Sequence, residues 1–473
     1  MEGSLRDDRS EGQAPLTASH RDADTPTRNL FLLCLHFYPE MVSTGMHMTE
    51  LATRLAELGW RITTFCAKPS WGTAGEPDPP TRRLVHRGVE VLRVRTLGKQ
   101  RGSLLSRALF AVTFVLSAGF EVFRRRAKGA TLVVTTSPPF LGVVGLLYSR
   151  LCKRPYLLIV YDVYPDIVVE LGVVAARSWT AKVWDAVNRR ILADAAVVVV
   201  IGRDMADVVR RKLDGHSNAR IVLIPNWSDE RRVRPVPHDR NSFRRDNRLG
   251  DSFVVQYAGR LGRTHNIELL IRAAALMNDT DIVFQFIGEG SKRAHIEELA
   301  AKLGVRNVQF LPYQTMERLG EMLSAADLGV VCLERGFTGL SVPSKAYGIM
   351  ASGTPILGLL DHDSEIGRVL SETGCGLALS DPTPEEIATV VRELAGDHSQ
   401  RRAMAEAGRR VFLQNYTLTR AARAYDAALT SMLGEGTTDV SSELLSHLPR
   451  ASAHTGTGNG EKRSSAGSKR SSS

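Results

Sequence analysis

At 473 residues the chain is too long for one core and divides by size into about two or three domains, and its 43% hydrophobic and 24% charged residues are the balance of a globular protein. Lys and Arg outnumber Asp and Glu by 61 to 51, with the excess clustered at Arg124–Lys128, Arg210–Lys212 and Arg231–Arg234; such runs are either solvated surface or contacts to phosphate or anionic lipid. There is no zinc finger, aromatic-rich RNA-binding signature or heptad array, so no nucleic acid partner is expected.

Residues 1–28 and 434–473 are poor in apolar side chains and rich in Ser, Thr, Gly and charge, and both are expected to be disordered tails. The first tail has no apolar stretch of the kind a secretory signal needs. The five cysteines are scattered, mostly in apolar runs, and read as reduced core residues of a cytoplasmic protein.

From residue 29 the pattern alternates. A buried-strand run at 29–37 is followed by a glycine-bearing loop, a helix at 46–58 and a strand at 61–66, which is one βαβ unit. Further strands are predicted at 89–94, 131–136, 156–160, 195–201 and 220–224, and helices at 104–126, 140–152, 179–192 and 204–213. The helix at 104–126 is apolar but interrupted by Arg107 and Glu121, and three readings stay open for it: core packing, contact with a membrane surface, or a span. Residues 227–251 are charged, proline-bearing and aperiodic, and are taken as an interdomain linker.

The alternation restarts at residue 252. Strands at 253–257, 282–287, 308–310, 328–333, 354–359 and 376–379 alternate with helices at 266–277, 291–303, 315–325, 345–352 and 364–372, and helices at 383–395, 398–413 and 418–433 follow. The last of these is placed to return to the first domain. The fold class is therefore α/β: two doubly wound, Rossmann-like domains, at 29–226 and 252–433, facing across a cleft where ligands bind. No Gly-x-Gly-x-x-Gly follows the first strand of either half, which argues against a dehydrogenase.

The stretch from Glu334 to Gly353 leads from a strand through a glycine-bearing loop and Pro343 into a short helix. The N–H groups of residues 341–345 and the positive end of the helix would meet a phosphate, with Lys345 adding a charge; a plain strand–loop–helix connection is the alternative.

Gly259-Arg260, Gly288-Glu289-Gly290, Phe310-Leu311-Pro312-Tyr313 and the element from Gly339 to Pro355 occur in an order and spacing that resemble the retaining glycosyltransferases of family 4, which have the glycosyltransferase-B fold. The resemblance covers about residues 29–433. Gly339-Leu340-Ser341-Val342-Pro343-Ser344-Lys345 and Asp162-Val163-Tyr164-Pro165-Asp166 are similar to the branch that builds bacterial surface polysaccharides such as colanic acid and O-antigen. The resemblance implies that Arg260 and Lys345 hold the donor diphosphate, with Gly45, Gly259, Gly262, Arg263, Gly288, Gly290, Gly339, Leu340, Ser341, Val342, Pro343 and Ser344 around the donor. His265 stands where the family commonly has a second lysine. Members commonly carry a pair of glutamates here, the second holding the nucleotide ribose; those places are Leu340 and Gly348 in this chain, and Glu365 is the expected substitute.

On the acceptor side, His36, Asp162, Tyr164 and Asp166 fall at the ends of first-domain strands or just beyond. Asp162 is the first choice and Asp166 the second for orienting or deprotonating an acceptor hydroxyl, with a structural role open for either. Asp361-His362-Asp363 has the form of a metal-binding Asp-x-Asp but lacks its context, so no metal and no cofactor are expected, the nucleotide sugar being substrate. The expected activity is transfer of an N-acetylated hexose or deoxyhexose from a UDP-linked donor to a lipid-linked saccharide, on the cytoplasmic side of the cell membrane. A nucleotide-sugar-binding protein without catalysis and an epimerase of the same fold are the rivals.

Overall fold

The computed structural model describes residues 28–40, 43–69, 82–100, 102–126, 129–215, 219–262, 265–278 and 280–434. Arg263, Lys128 and all but the innermost residue of each expected tail lie outside the described residues.

The first domain comprises β1 (Asn29–Leu33), α1 (Ser43–Glu57), β2 (Arg61–Cys66), β3 (Arg83–His86), β4 (Val89–Arg93), α2 (Leu104–Arg124), β5 (Thr131–Thr135), α3 (Gly142–Cys152), β6 (Tyr156–Val160), α4 (Asp166–Glu170), α5 (Trp179–Asp194), β7 (Val197–Val200), α6 (Arg203–Leu213) and β8 (Arg220–Leu223). Its strands form one eight-stranded sheet in the order β3-β4-β2-β1-β5-β6-β7-β8, parallel except that β3 runs against β4. Helices cover both faces of the central strands, so β5, β6 and β7 are buried at every position and read as unbroken apolar runs. The edge strand β3 was not foreseen. Its hairpin turns through Arg87 at φ 45° and Gly88 at φ 83°, and an arginine in a left-handed position hides the usual turn signal.

The second domain comprises α7 (Ser242–Asp246), β9 (Phe253–Ala258), α8 (Glu268–Ala275), β10 (Ile282–Ile287), α9 (Arg293–Lys302), β11 (Val308–Leu311), α10 (Leu319–Ser324), β12 (Leu328–Cys332), α11 (Lys345–Ser352), β13 (Ile356–Leu359), α12 (Glu365–Thr373), β14 (Gly376–Leu379), α13 (Pro384–Gly396) and α14 (His398–Asn415). Its six parallel strands run in the order β11-β10-β9-β12-β13-β14. A final helix, α15 (Leu418–Met432), returns to the first domain and packs on α1; Trp60 Nε1 donates to Asp426 at 2.7 Å, and Trp227 meets Tyr425 edge-on.

The stretch between β8 and β9 that was expected to be a linker is a packed strap. Trp227, Val233 and Phe243 are buried, and the buried Arg244 guanidinium donates to the carbonyls of Ala325, Gly250 and Ser252 while pairing with Asp327. Charged composition disguised this, because one arginine fork here satisfies backbone groups that would otherwise be orphaned.

Each sheet reverses direction of winding once. In the first, β1 lies between β2 and β5; in the second, β9 lies between β10 and β12. The loops after β1, β5, β9 and β12 therefore open a crevice at each switch point, which is where open α/β sheets bind ligands.

Candidate functional site

The loop after β9 and the start of α11 meet at the second-domain switch point. Gly259, at φ 138°, has no side chain, and a Cβ there would lie 3.4 Å from Lys345 Cε and Nζ. The Lys345 ammonium sits 3.6 Å above the Tyr257 ring and is buried with no hydrogen-bond partner among the described residues. Burial pulls its pKa down to about 8, opposed by Cys332. His265 is held well below its ordinary value by burial and then by Lys345, Lys292 and Arg260, so it is neutral. Lys292 donates to the His265 carbonyl at 2.9 Å and pairs with Glu268 at 3.0 Å and Glu334 at 3.4 Å. Arg260 is exposed, with its carbonyl held by the Tyr257 hydroxyl at 2.8 Å. The first turn of α11 leaves N–H groups without intrahelical partners beside this charge, so the site is built for an anion.

The remaining glycines serve the shape of these loops. A Cβ at Gly288 would sit 2.1 Å from the Gly259 carbonyl oxygen, and one at Gly290 equally close to that of Leu261. Gly262 borders His265 and Arg260.

The segment before Lys345, expected to wrap the donor as a unit, is divided between two tasks. The N–H of Gly339 goes to the Asp204 carboxylate at 3.0 Å, the carbonyl of Leu340 accepts from Val163 N–H at 3.0 Å, and Ser341 pairs with Asp162. Val342 is buried beside Gly202, and Pro343 is half-buried. These residues join the domains, as does Ser344, whose hydroxyl lies 2.7 Å from that of Ser43, while the Lys345 side chain turns to Gly259 and the Tyr257 ring.

Several of the expected site residues make contacts of their own within the protein. Glu365, expected at the ribose, opens α12 and faces the first domain: Oε2 of its buried carboxylate accepts from the Arg203 N–H at 2.7 Å and Nε at 3.0 Å, while Oε1 has no hydrogen-bond partner among the described residues. Asp166 is bound to Lys212 at 2.6 Å, which also holds Asp185, and so stabilises the packing of α4, α5 and α6. At Gly45 a Cβ would lie 3.1 Å from His36 Cβ and 3.2 Å from the Glu40 carbonyl oxygen, so a side chain there would crowd the loop between β1 and α1. His36 itself bonds Glu40 at 2.6 Å. Asp361 accepts from Thr338 at 2.9 Å and Ser380 at 3.0 Å as a loop brace.

Asp162 does reach the crevice. It bonds Ser341, one side of the loop that ends in Lys345, and burial pushes its pKa up to about 6 against that bond. Lys292, Arg203, Asp204 and Ser43 were missed. Lys292 follows the Gly288–Gly290 loop and had a local signal; the others act on partners far away in the chain.

The pattern for a glycosyl transferase 4-like domain matches residues 44–227, and that for glycosyl transferases group 1 matches residues 239–411. The chain is 28% identical to the glycosyltransferase WbjE of Pseudomonas aeruginosa over 77% of its own length and 89% of that protein's. It is 26% identical to a protein of Escherichia coli K12 named as a colanic acid biosynthesis glycosyl transferase, WcaI, over 76% and 89% of the two chains. Among solved structures it is similar to sucrose-phosphate synthase from Thermosynechococcus elongatus (TM-score 0.69, 18% identity, 86% of this chain and all of that one). WaaG, a glycosyltransferase involved in lipopolysaccharide biosynthesis, is also similar (TM-score 0.64, 16% identity, 86% of this chain and all of that one). Anabaena HepE, solved with UDP and glucose, is similar as well (TM-score 0.63, 14% identity, 85% of this chain and all of that one). With both transferase domains in order and the two Rossmann-like sheets of the GT-B fold, the chain belongs to the GT4-type glycosyltransferases, related to proteins of polysaccharide biosynthesis.

Proposed function

We propose that the chain is a retaining transferase that moves an N-acetylated hexose or deoxyhexose from a UDP-linked donor to a lipid-linked saccharide at the cytoplasmic face of the membrane. The observation that carries this reading is the Lys345 ammonium, buried at a helix start over the Tyr257 ring, with no hydrogen-bond partner among the described residues and facing the loop of Arg260. A buried unpaired charge is costly, and a donor diphosphate supplies the missing partner. As the glycosidic bond breaks, the departing diphosphate gains negative charge, and Lys345, Arg260 and the α11 N-terminus stabilise that charge most in the transition state. These groups supply the positive charge themselves, so the reading assigns no resident metal or cofactor. HepE, a neighbour in fold, was solved with UDP, which favours this nucleotide.

Asp162 stands on the acceptor side and orients the attacking hydroxyl, while the departing phosphate takes its proton in a front-face attack. For the membrane, α2 presents Leu105, Leu109, Val112, Leu116 and Phe120 to the outside on one helical face, with Arg107, Arg124 and Arg126 exposed around it.

Lys345→Ala and Arg260→Ala should each lower turnover about a hundredfold or more, the loss typical of removing one charge-stabilising donor. The measurement is UDP release on a panel of UDP-sugars with a polyprenyl-diphosphate-linked saccharide. Near-normal rates in both variants would refute the assignment. Gly348, which offers no carboxylate to the ribose, favours a second reading, a binding protein without catalysis. That reading requires UDP to raise the melting temperature while no UDP-sugar is consumed.

A further inference from the structure

Beyond Asp162 the crevice runs into an aromatic stack that the donor site does not use. Phe140 stacks on Trp184 with ring centroids 4.7 Å apart and planes at 27°, and Trp184 stacks on Tyr164 at 5.8 Å and 7°. The three rings come from the loop after β5, from α5 and from the loop after β6, so the tertiary fold assembles them. A cavity of about 20 Å³, with room for a water and not for a sugar ring, lies beside it between Thr136, Phe140, Asp162, Tyr164, Asn188 and the core residues Leu158 and Ile191, so a saccharide would lie on the exposed side of Phe140.

Two features of this stack have no structural use. Phe140 is held at φ 68°, a conformation unfavourable for an aromatic residue, yet its ring is 41% exposed instead of filling the core. The indole N–H of Trp184 is buried with no hydrogen-bond partner among the described residues. Strain that presents an apolar ring, and a dry donor behind it, point to a ligand with an apolar face and hydroxyl acceptors. A pyranose has both: axial C–H groups suited to the negative face of an aromatic ring, and oxygens around its edge.

We infer that Phe140 is the platform on which the acceptor's saccharide ring lies, backed by Trp184 and Tyr164, with its reactive edge turned to Asp162. The inference rests on the transferase reading and names the acceptor half of that site. The chain of contacts is continuous: Lys345 lies at the end of the loop whose Ser341 bonds Asp162, and Asp162 lines the pocket that Phe140 closes. Asp162 thus borders both the loop that ends in Lys345 and the cavity beside Phe140.

The test is binding of two probes, methyl and octyl 2-acetamido-2-deoxy-β-glucoside, titrated into UDP-saturated protein and followed by tryptophan fluorescence. Phe140→Gly removes the ring at a backbone angle that glycine adopts freely, so the fold is retained, which the melting temperature checks. Both probes should weaken by about tenfold in Phe140→Gly, and Phe140→Tyr should stay close to wild type. Equal binding in Phe140→Gly and wild type, or no saturable binding in wild type, would overturn the platform. Loss confined to the octyl probe would overturn it too, because the pocket would then hold hydrocarbon. A wild-type melting temperature that UDP leaves unchanged would refute the donor reading, a result separate from the glycoside titration.

Discussion

Burial acts on Lys345 and Asp162 in opposite senses. It disfavours the charged form of each, so the lysine falls to about 8 and the aspartate rises to about 6. Both are ionised only between these values, and kcat/KM, which reports the free enzyme, should be bell-shaped with limbs near pH 6 and pH 8. Below the acid limb Asp162 takes a proton; above the alkaline limb Lys345 loses one. Asp162→Asn should erase the acid limb while leaving the alkaline one. In kcat the alkaline limb should move to higher pH, since a bound diphosphate favours the ammonium. A profile flat from pH 5 to 9 would exclude both roles. The place of Lys345 at a helix start was legible in the sequence because Pro343, Ser344 and the following helix mark it locally. The fate of Glu365 was not: its partner, Arg203, lies 162 residues away, and no periodic pattern records such a pair.

At the scale of elements, the starts of α6 and α12 face each other and exchange caps. The Asp204 carboxylate accepts from the N–H of Gly339 and of Glu365, each at 3.0 Å, while the Glu365 carboxylate accepts from the N–H of Arg203. Each helix start thus receives a negative charge from the other domain, satisfying orphan donors and complementing the dipole. Arg203 extends the clasp to Glu372 at 2.9 Å. Glu365→Gln separates this role from the ribose contact expected from sequence. As a clasp residue, its loss should lower the melting temperature by several degrees, because a buried guanidinium loses part of its partner charge. The stabilisation that UDP confers should be unchanged. If instead the UDP shift disappeared while the melting temperature held, Glu365 would belong to the donor site. The individual helices and strands were readable from apolar periodicity, generally to within a few residues. What periodicity lacked was the exposed hairpin strand β3, which alternates with charge, and the strap before β9, whose arginine is buried.

For the whole molecule, the decisive arrangement is the direction in which its apolar surface faces. One side of α2, with Phe114, Ala118 and Val122, is fully buried, and Glu121 turns inward to Arg82, Arg124 and Arg125. Glu121, one of the two charges that interrupted the apolar pattern in sequence, is therefore removed from the outer face, while Arg107 stays exposed beside it. What remains outside is a stripe running from Leu105, 81% exposed, to Phe120, 67% exposed. On the proposed membrane reading, a helix that gives one apolar face to the core and a second to the outside, with arginines beside it, would lie in the interface without spanning the bilayer. Each large apolar side chain moved from water into lipid contributes about 2 kcal/mol, or roughly thirtyfold in partitioning. Leu116→Asp with Phe120→Asp should thus abolish co-sedimentation with vesicles containing anionic lipid, while the melting temperature stays near wild type because neither side chain is in the core. Raising the salt should weaken the wild-type interaction in part, since it screens Arg107, Arg124 and Arg126 but not the apolar stripe. A double variant that still sediments fully would show that the stripe is not the membrane face, and turnover on a soluble, short-chain acceptor should be retained by it if docking serves only to reach the lipid.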